Sequence, residues 1–215
     1  MLSSELVHAP YAGATLDVDD FENEVWERCP PVSITRLWSG APAAVERHAE
    51  ARVCWSGAAL HVRFVGNQHE PLVVSREPIT DRKTLGVWDR DVCEIYVAPD
   101  PANPSHYYEF EAAPTGEWVD LGIVIVGEGR ITDWDYSSEM AVSATVEETR
   151  IKVAMSIPWS DSIPKPKAND RWLVNLFRCV GPEAPDRYLA WRPTGTPEPN
   201  FHVPKAFGSL VFSQD

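Results

Sequence analysis

The residues best suited to bind a ligand lie at two places in the chain, each centred on a tryptophan. Trp88 stands in a polar loop before Glu94, and Trp191 ends a predicted strand shortly after Tyr188. Indole rings can cover the C–H faces of a sugar ring, and a carboxylate accepts hydrogen bonds from its hydroxyls. Apolar walls with a few placed polar groups are the usual form of a small-ligand site. We therefore predict a sugar slot with Trp88 and Trp191 as walls and Glu94 as a hydroxyl acceptor.

An acidic face allows a second interpretation. Glu94, Glu109 and Glu111 fall on one face of two neighbouring predicted strands, and glycoside hydrolysis needs two carboxyl groups roughly 5–10 Å apart. The same residues could instead form a plain polar face, with Arg178 as a cross-strand ion-pair partner of Glu109 or Glu111. Non-catalytic sugar binding is the leading hypothesis, and a structural module that no longer binds sugar is a further one.

Short strands with a period of two must position these side chains. In residues 92–98, Cys93, Ile95 and Val97 alternate with a second face that carries Glu94 and Tyr96. Many turn signals separate such segments, which is typical of a β-sandwich or barrel. The predicted strands are residues 52–55, 59–64, 92–98, 106–112, 118–126, 140–146, 151–157, 171–180, 187–191 and 209–212. We treat residues 1–215 as a single domain, because no repeat or linker divides them.

One short helix is predicted near the amino terminus, from Phe21 to Arg28. Asp19 followed by Glu22 has the form of a capping box, and Pro30-Pro31 would end the helix. The acidic residues of this region could also supply oxygen ligands to calcium. They are Asp17, Asp19, Asp20, Glu22 and Glu24.

Charge and cysteine content exclude several classes of function. The chain has 19 Lys and Arg against 32 Asp and Glu, a net charge of −13, so it would repel nucleic acid and anionic membranes. The four cysteines are widely spaced, which argues against a zinc site and leaves a disulfide open. Residues 1–5 lack a basic segment followed by an apolar run, so we expect a cytoplasmic location, or a secreted or periplasmic one if the start is trimmed.

Several motifs in order resemble family 9 carbohydrate-binding modules. The resemblance covers roughly residues 14–212. It rests on Leu16-Asp17-Val18-Asp19, Trp26, Trp88-x5-Glu94-x-Tyr96, Tyr107-Tyr108-Glu109-Phe110-Glu111, Pro114-x-Gly116, Trp191-x-Pro193-Thr194 and Asn200-Phe201-His202-Val203-Pro204.

This resemblance implies an all-β, antiparallel β-sandwich of the jelly-roll or DOMON-like type. It also implies recognition of glucose-, cellulose- or xylan-derived sugars, often at chain ends, between two Trp residues. By position Trp88 and Trp191 would be those residues, and Glu94 would bind hydroxyls. Family members also carry structural calcium.

Two positions depart from the sugar-binding members. Glu111 stands where they carry an Arg, and Tyr188 or a neighbour stands where they carry an Asn. Both residues are nevertheless predicted to line the site. Some DOMON-like domains bind haem, which needs axial ligands. The methionines (Met1, Met140 and Met155) and the six scattered histidines offer no evident pair.

Overall fold

Two stacked β-sheets make up the fold, as the period-two patterns predict. The structure, a computed structural model, describes residues 5–13, 15–182 and 184–214. Residues 1–4, which include Met1 and most of the segment on which the predicted location rests, lie outside the described part. The strands in the described part are β1 (Leu6–Pro10), β2 (Val32–Ile34), β3 (Arg36–Leu37), β4 (Ala49–Trp55), β5 (Ala59–Asn67), β6 (Val92–Ala98), β7 (His106–Ala112), β8 (Trp118–Val126), β9 (Gly129–Asp133), β10 (Ala141–Val146), β11 (Arg150–Pro158), β12 (Arg171–Cys179), β13 (Tyr188–Ala190) and β14 (Gly208–Ser213).

The larger sheet has the strand order β1-β14-β12-β6-β7-β8-β9, with β13 paired to β12 and β3 paired to β13. The smaller sheet has the order β10-β11-β5-β4-β2. Neighbouring strands run antiparallel as predicted, except that β1 pairs with β14 in parallel. The β-sandwich prediction is therefore confirmed.

The predicted bounds of β6, β7 and β8 agree with the structure residue for residue. The other predicted strands agree to within a few residues. Four strands were not predicted, namely β1, β2, β3 and β9. β2 and β3 are too short to show a period, and β9 is mostly exposed and so has no apolar alternation.

The main core lies between the two sheets. Cys93, Ile95 and Val97 of β6 meet Val153 and Met155 of β11 there, and all are at most 1% exposed. Met140 belongs to the same core. Met140 and Met155, the methionines of the described residues, are therefore packing residues. They do not offer themselves as axial ligands to haem.

A second apolar cluster covers the opposite face of the larger sheet. In most sandwiches that face is polar and solvated, but here β6 is buried along its whole length. Tyr96, Tyr107 and Phe177 pack there beneath Phe201 and Phe207 from the segment before β14. Chain segments laid over this outer face enclose the cavity described below.

The amino-terminal helix is shorter than predicted. Helix α1 spans Val25–Arg28, and its N-cap, Glu24, makes no side-chain capping bond. The Asp19–Glu22 capping box is wrong, because Glu22 instead pairs with Lys152 of β11 at 2.7 Å. No helix among the described residues is long and apolar enough to cross a membrane.

Candidate ligand-binding site

Three glutamates form the floor of a cavity of about 230 Å³ on the outer face of the larger sheet. Glu94 lies on β6, and Glu109 and Glu111 lie on β7. The strand register sets Glu94 opposite Glu111 and Tyr96 opposite Glu109. Because side chains alternate along a strand, these residues share one face, as predicted. One carboxylate oxygen from each glutamate lies within 4.8 Å of the other two.

Burial dominates the electrostatics of this floor. The three glutamates are only 1–3% exposed. Burial raises the pKa of Glu94 to about 8, and the neighbouring Glu109 charge adds to the effect. Burial also raises the pKa of Glu109, and it raises that of Glu111 well above the usual range, with Glu94 as the next cause. At neutral pH this floor therefore retains protons unless a ligand supplies positive charge or hydrogen-bond donors.

Protein groups satisfy the floor only partly. The Cys179 thiol donates to Glu94 Oε1 at 3.4 Å, and the Tyr96 hydroxyl lies within hydrogen-bonding reach of Glu94 and Glu109. Glu109 and Glu111 can also hydrogen-bond each other when one of them is protonated. Apart from that contact, the Oε2 atoms of Glu94, Glu109 and Glu111 have no hydrogen-bond partner within the described residues. A buried polar atom without a partner costs free energy. The floor is thus prepared to interact with a ligand.

Trp88 stands at the cavity in a loop fixed on both sides. A short 3-10 helix, Val87–Asp89, begins after Gly86, whose φ of 83° favours glycine. Arg187 donates to the carbonyl oxygens of Asp89 at 3.0 Å and Arg90 at 2.6 Å. Val87 is fully buried. These contacts hold the Trp88 ring over the cavity, where the sequence predicts it.

Trp134 also lines the cavity, although it was not predicted as a site residue. Its ring centroid lies 6.2 Å from that of Trp88, with the rings inclined at 44°. Lys83 holds this segment through the backbone oxygens of Trp134 and Tyr136, and it pairs with Asp120 at 2.9 Å. Trp134 follows β9 without any periodic pattern, so the sequence signal that could have revealed it is a tryptophan placed between two acidic residues, Asp133 and Asp135.

Tyr188 and residues 199–202 form the remaining wall. Tyr188 lines the cavity as predicted and meets Phe201 edge to face, and Phe201 stacks on Phe177 at 4.0 Å. The Tyr107 hydroxyl and His202 Nδ1 form a hydrogen bond of 2.8 Å. Burial lowers the pKa of His202 to about 3. The ring is therefore neutral, and its 3.8 Å approach to Glu109 is not an ion pair.

Trp191 is not a wall of this cavity, which corrects the prediction. It is 4% exposed and belongs to the core between the sheets. Alternation along β13 explains this, because Leu189 and Trp191 point inward while Tyr188 points outward. The Trp191 ring lies so close to Gly208 that a Cβ at that position would overlap it.

Arg178 is likewise on the inner side of the larger sheet. Its guanidinium donates to backbone oxygens of Arg47, His48 and Asn67 and to Gln68 Oε1 at 2.7–3.1 Å. The predicted ion pair with Glu109 or Glu111 is wrong, because those carboxylates project from the outer face of the same sheet.

A cation such as calcium needs several oxygen donors that meet in one place. Among the described residues, the set of three ligating side chains that meet in one place is Glu94, Glu109 and Glu111. The acidic residues near α1 form no such set in the described part of the chain. If a metal such as calcium binds, the carboxylate floor is the place whose donors fit it.

Comparison with known proteins agrees with this architecture. Residues 18–215 match the family described as carbohydrate family 9 binding domain-like. The chain belongs to this family. The predicted resemblance is therefore confirmed, and the family is one of carbohydrate-binding domains.

Solved structures share the fold of this family member. A Bacteroides uniformis protein with a proposed carbohydrate-binding role superposes with a TM-score of 0.73 at 17% identity, over 97% of this chain and 99% of that one. A family 9 module of Caldicellulosiruptor kristjanssonii in complex with glucose gives 0.68 at 14% identity, over 98% and 96%. The cellotriose complex from the same organism gives 0.67 at 12%, over 98% and 94%.

One curated relative is similar in sequence. It is described as an extracellular protein of Arthroderma benhamiae and is 21% identical over 176 residues, which are 75% of this chain and 77% of the relative. The expectation of a cytoplasmic location finds no support in this comparison.

Proposed function

We propose that this family member binds a saccharide, without catalysis, in the cavity between the Trp88–Trp134 surface and the carboxylate floor. The observation that carries the proposal is the meeting of two indole rings with buried, unpartnered carboxylate oxygens in one cavity. Apolar faces and hydrogen-bond acceptors together match the two surfaces of a sugar ring.

The two tryptophans would contact the sugar as one angled surface. Their ring centroids are 6.2 Å apart and the rings are inclined at 44°, so they do not form two parallel walls around a sugar ring. Trp134 is 47% exposed, which leaves a face free for stacking. This differs from a slot with two parallel walls, and it favours a ligand that enters end-on over the floor.

The floor would supply the polar contacts. Each free Oε2 atom can accept a hydrogen bond from a sugar hydroxyl, and charged acceptors form the stronger bonds. A neutral, protonated carboxyl would instead donate to a hydroxyl oxygen. Glu111, at the position where sugar-binding members carry an Arg, therefore offers a different hydrogen-bonding group to the ligand.

The arrangement of the floor argues against glycoside hydrolysis. A glycosidase holds two carboxyl groups on either side of the scissile bond, roughly 5–10 Å apart. Here the three glutamates lie side by side on one face of the sheet, with one oxygen from each within 4.8 Å of the others. A reducing-sugar assay with cello- and xylo-oligosaccharides should show no release of product above a blank.

The ligand class follows from the family and its relatives. The Caldicellulosiruptor module was solved with glucose and with cellotriose. We propose glucose-, cellulose- or xylan-type sugars, bound as monosaccharides or chain ends during polysaccharide degradation. The relative described as extracellular favours an extracellular place of action.

Isothermal titration calorimetry with glucose, cellobiose, cellotriose and xylobiose tests the proposal. We expect saturable binding of at least one sugar with one site per chain. Absence of heat with every sugar at millimolar concentration would refute it. The Trp88→Ala variant should bind more weakly, whereas Trp118→Ala, a half-buried tryptophan outside the cavity, serves as the matched control.

A further inference from the structure

We infer that the carboxylate floor, Glu94, Glu109 and Glu111, is a binding site for one divalent cation, with Ca²⁺ as the best fit. This goes beyond sugar binding and is tested without sugar, although the ion would use the same carboxylate oxygens that are proposed to accept sugar hydroxyls. The site differs in place from the acidic stretch beside α1, because its ligands come from two adjacent strands of the larger sheet.

The geometry suits a hard cation. Three carboxylates provide oxygen donors alone, which are the ligands that Ca²⁺, Mg²⁺ and Mn²⁺ prefer. One oxygen from each lies within 4.8 Å of the others, inside the separation of about 5 Å between opposite ligands of Ca²⁺. The β6–β7 register fixes Glu94 opposite Glu111, so the donors are held on a rigid element.

The unsatisfied oxygens also point to a ligand. Glu109 and Glu111 can hydrogen-bond each other only while one of them keeps a proton, and otherwise the buried Oε2 atoms of all three glutamates have no partner among the described residues. Structural carboxylates that serve only the fold are normally hydrogen-bonded when buried. The cavity gives these atoms an approach from solvent.

Neighbouring Lys and Arg side chains form no ion pairs with the three glutamates in the described part of the chain. No Lys or Arg of the described chain lies within 4.0 Å of the three carboxylates. Arg187 lies nearby but gives its Nη donors to the carbonyl oxygens of Asp89 and Arg90. Arg130 lines the cavity without an ion pair to the floor.

A divalent ion is favoured over a bound amine. Three ionised carboxylates carry three negative charges, of which a divalent ion offsets two and an ammonium group one. Coulomb attraction scales with the ligand's charge. The carboxylates can also bind a metal through both oxygens. Binding of an amine in place of a divalent ion would therefore contradict the inference.

The experiment uses the full chain, freed of metal with EDTA and then dialysed into sugar-free, chelator-free buffer. Ca²⁺ is titrated by calorimetry, and Tb³⁺ is titrated by its emission on excitation of tryptophan, which reports an ion close to Trp88 and Trp134. We expect one ion per chain. The Glu111→Gln and Glu109→Gln variants should each bind roughly tenfold more weakly or worse.

Two acidic variants serve as controls. Glu148→Gln removes an exposed acid of the β10–β11 turn, and Asp19→Asn changes the stretch beside α1. Both should bind Ca²⁺ like the wild type. Glutamine keeps the volume of glutamate, and near-ultraviolet circular dichroism checks that each variant is folded.

Three results would overturn the inference. They are no saturable binding at millimolar Ca²⁺, Ca²⁺ affinity unchanged in both glutamine variants, and heat with methylammonium but none with Ca²⁺. Since no sugar is present, these outcomes are separate from those that test saccharide binding.

Discussion

The Trp88 and Trp134 rings meet at the mouth of the cavity, 6.2 Å apart and inclined at 44°. Trp88 is held by the loop before β6, and Trp134 is held by Lys83 after β9. Two separate parts of the chain therefore build one continuous aromatic surface above the carboxylate floor. This relationship, rather than a pair of opposed walls, is the feature on which ligand recognition should depend.

Replacing Trp134 should separate binding from stability. The Trp134→Ala variant loses a ring that is 47% exposed, so its melting temperature should change little. Loss of a stacking partner is worth about 1 kcal/mol, which predicts sugar affinity reduced by roughly fivefold. Calorimetry and thermal unfolding measure the two effects on one preparation. Unchanged affinity would show that the aromatic surface does not contact the sugar.

Replacing Trp191 should have the opposite effect. Its ring fills the core between the sheets, and truncation of a buried Trp to Ala typically costs about 3–5 kcal/mol. We expect a lower free energy of unfolding in urea. Where the variant is folded, its sugar affinity should remain near that of the wild type. A strong loss of sugar affinity at unchanged stability would contradict this prediction and indicate that Trp191 contacts the sugar.

Acid should destabilise the fold partly through His61. Burial lowers the pKa of His61 to about 4, from an ordinary value of 6.5. Between these values the unfolded chain binds a proton that the folded chain does not. Stability is therefore fully present above pH 6.5 and is lost as the pH falls toward 4.

The His61→Gln variant tests this linkage. Its free energy of unfolding should fall less steeply between pH 6.5 and pH 4 than that of the wild type. His69, which is exposed, gives the matched control, because His69→Gln should keep the wild-type slope. The half-buried His202 contributes in the same direction, so the slope should be reduced rather than abolished. Equal slopes in wild type and His61→Gln would contradict the assignment.

Cys29 and Cys54 should form a disulfide in oxidising conditions. The four cysteines are free and buried, and these two thiols interact with each other. The Cys29 thiol donates to the carbonyl oxygen of Val25 at 3.2 Å. The interaction with Cys54 lowers the pKa of Cys29, whereas the interaction with Cys29 raises the pKa of Cys54. Cys29 is therefore the more acidic thiol and the expected nucleophile.

Equilibration with glutathione disulfide measures this. The two thiols lose two electrons and two protons, and one glutathione disulfide becomes two glutathione molecules. Non-reducing peptide mapping should show the Cys29–Cys54 link, absent in the Cys29→Ser variant. Cys93 and Cys179 should stay reduced, because they leave opposite faces of the larger sheet. A link between any other two cysteines would contradict the prediction.

Local periodicity predicted the part of the site that lies on regular strands. Alternation in β6 and β7 placed Glu94, Glu109 and Glu111 on one face, and the structure confirms it. The polar loop before β6 marked Trp88 as a residue outside the core. These predictions succeeded because a strand's period of two depends on few neighbours.

The rest depended on contacts between distant parts of the chain. Trp134 reaches Trp88 only through the β8–β9 hairpin and the Lys83 contacts, which no local pattern records. Trp191 is different, because alternation within residues 187–191 already groups it with Leu189 and opposite Tyr188. Its place in the family motif suggested a wall of the site, but the alternation correctly indicates a core residue.

A crystal structure of the chain soaked with glucose or cellotriose tests the central claim most directly. We expect a sugar ring in the cavity, with its C–H face against Trp134 or Trp88 and a hydroxyl within hydrogen-bonding distance of a floor glutamate. A sugar bound at another surface with this cavity occupied by solvent alone would contradict it.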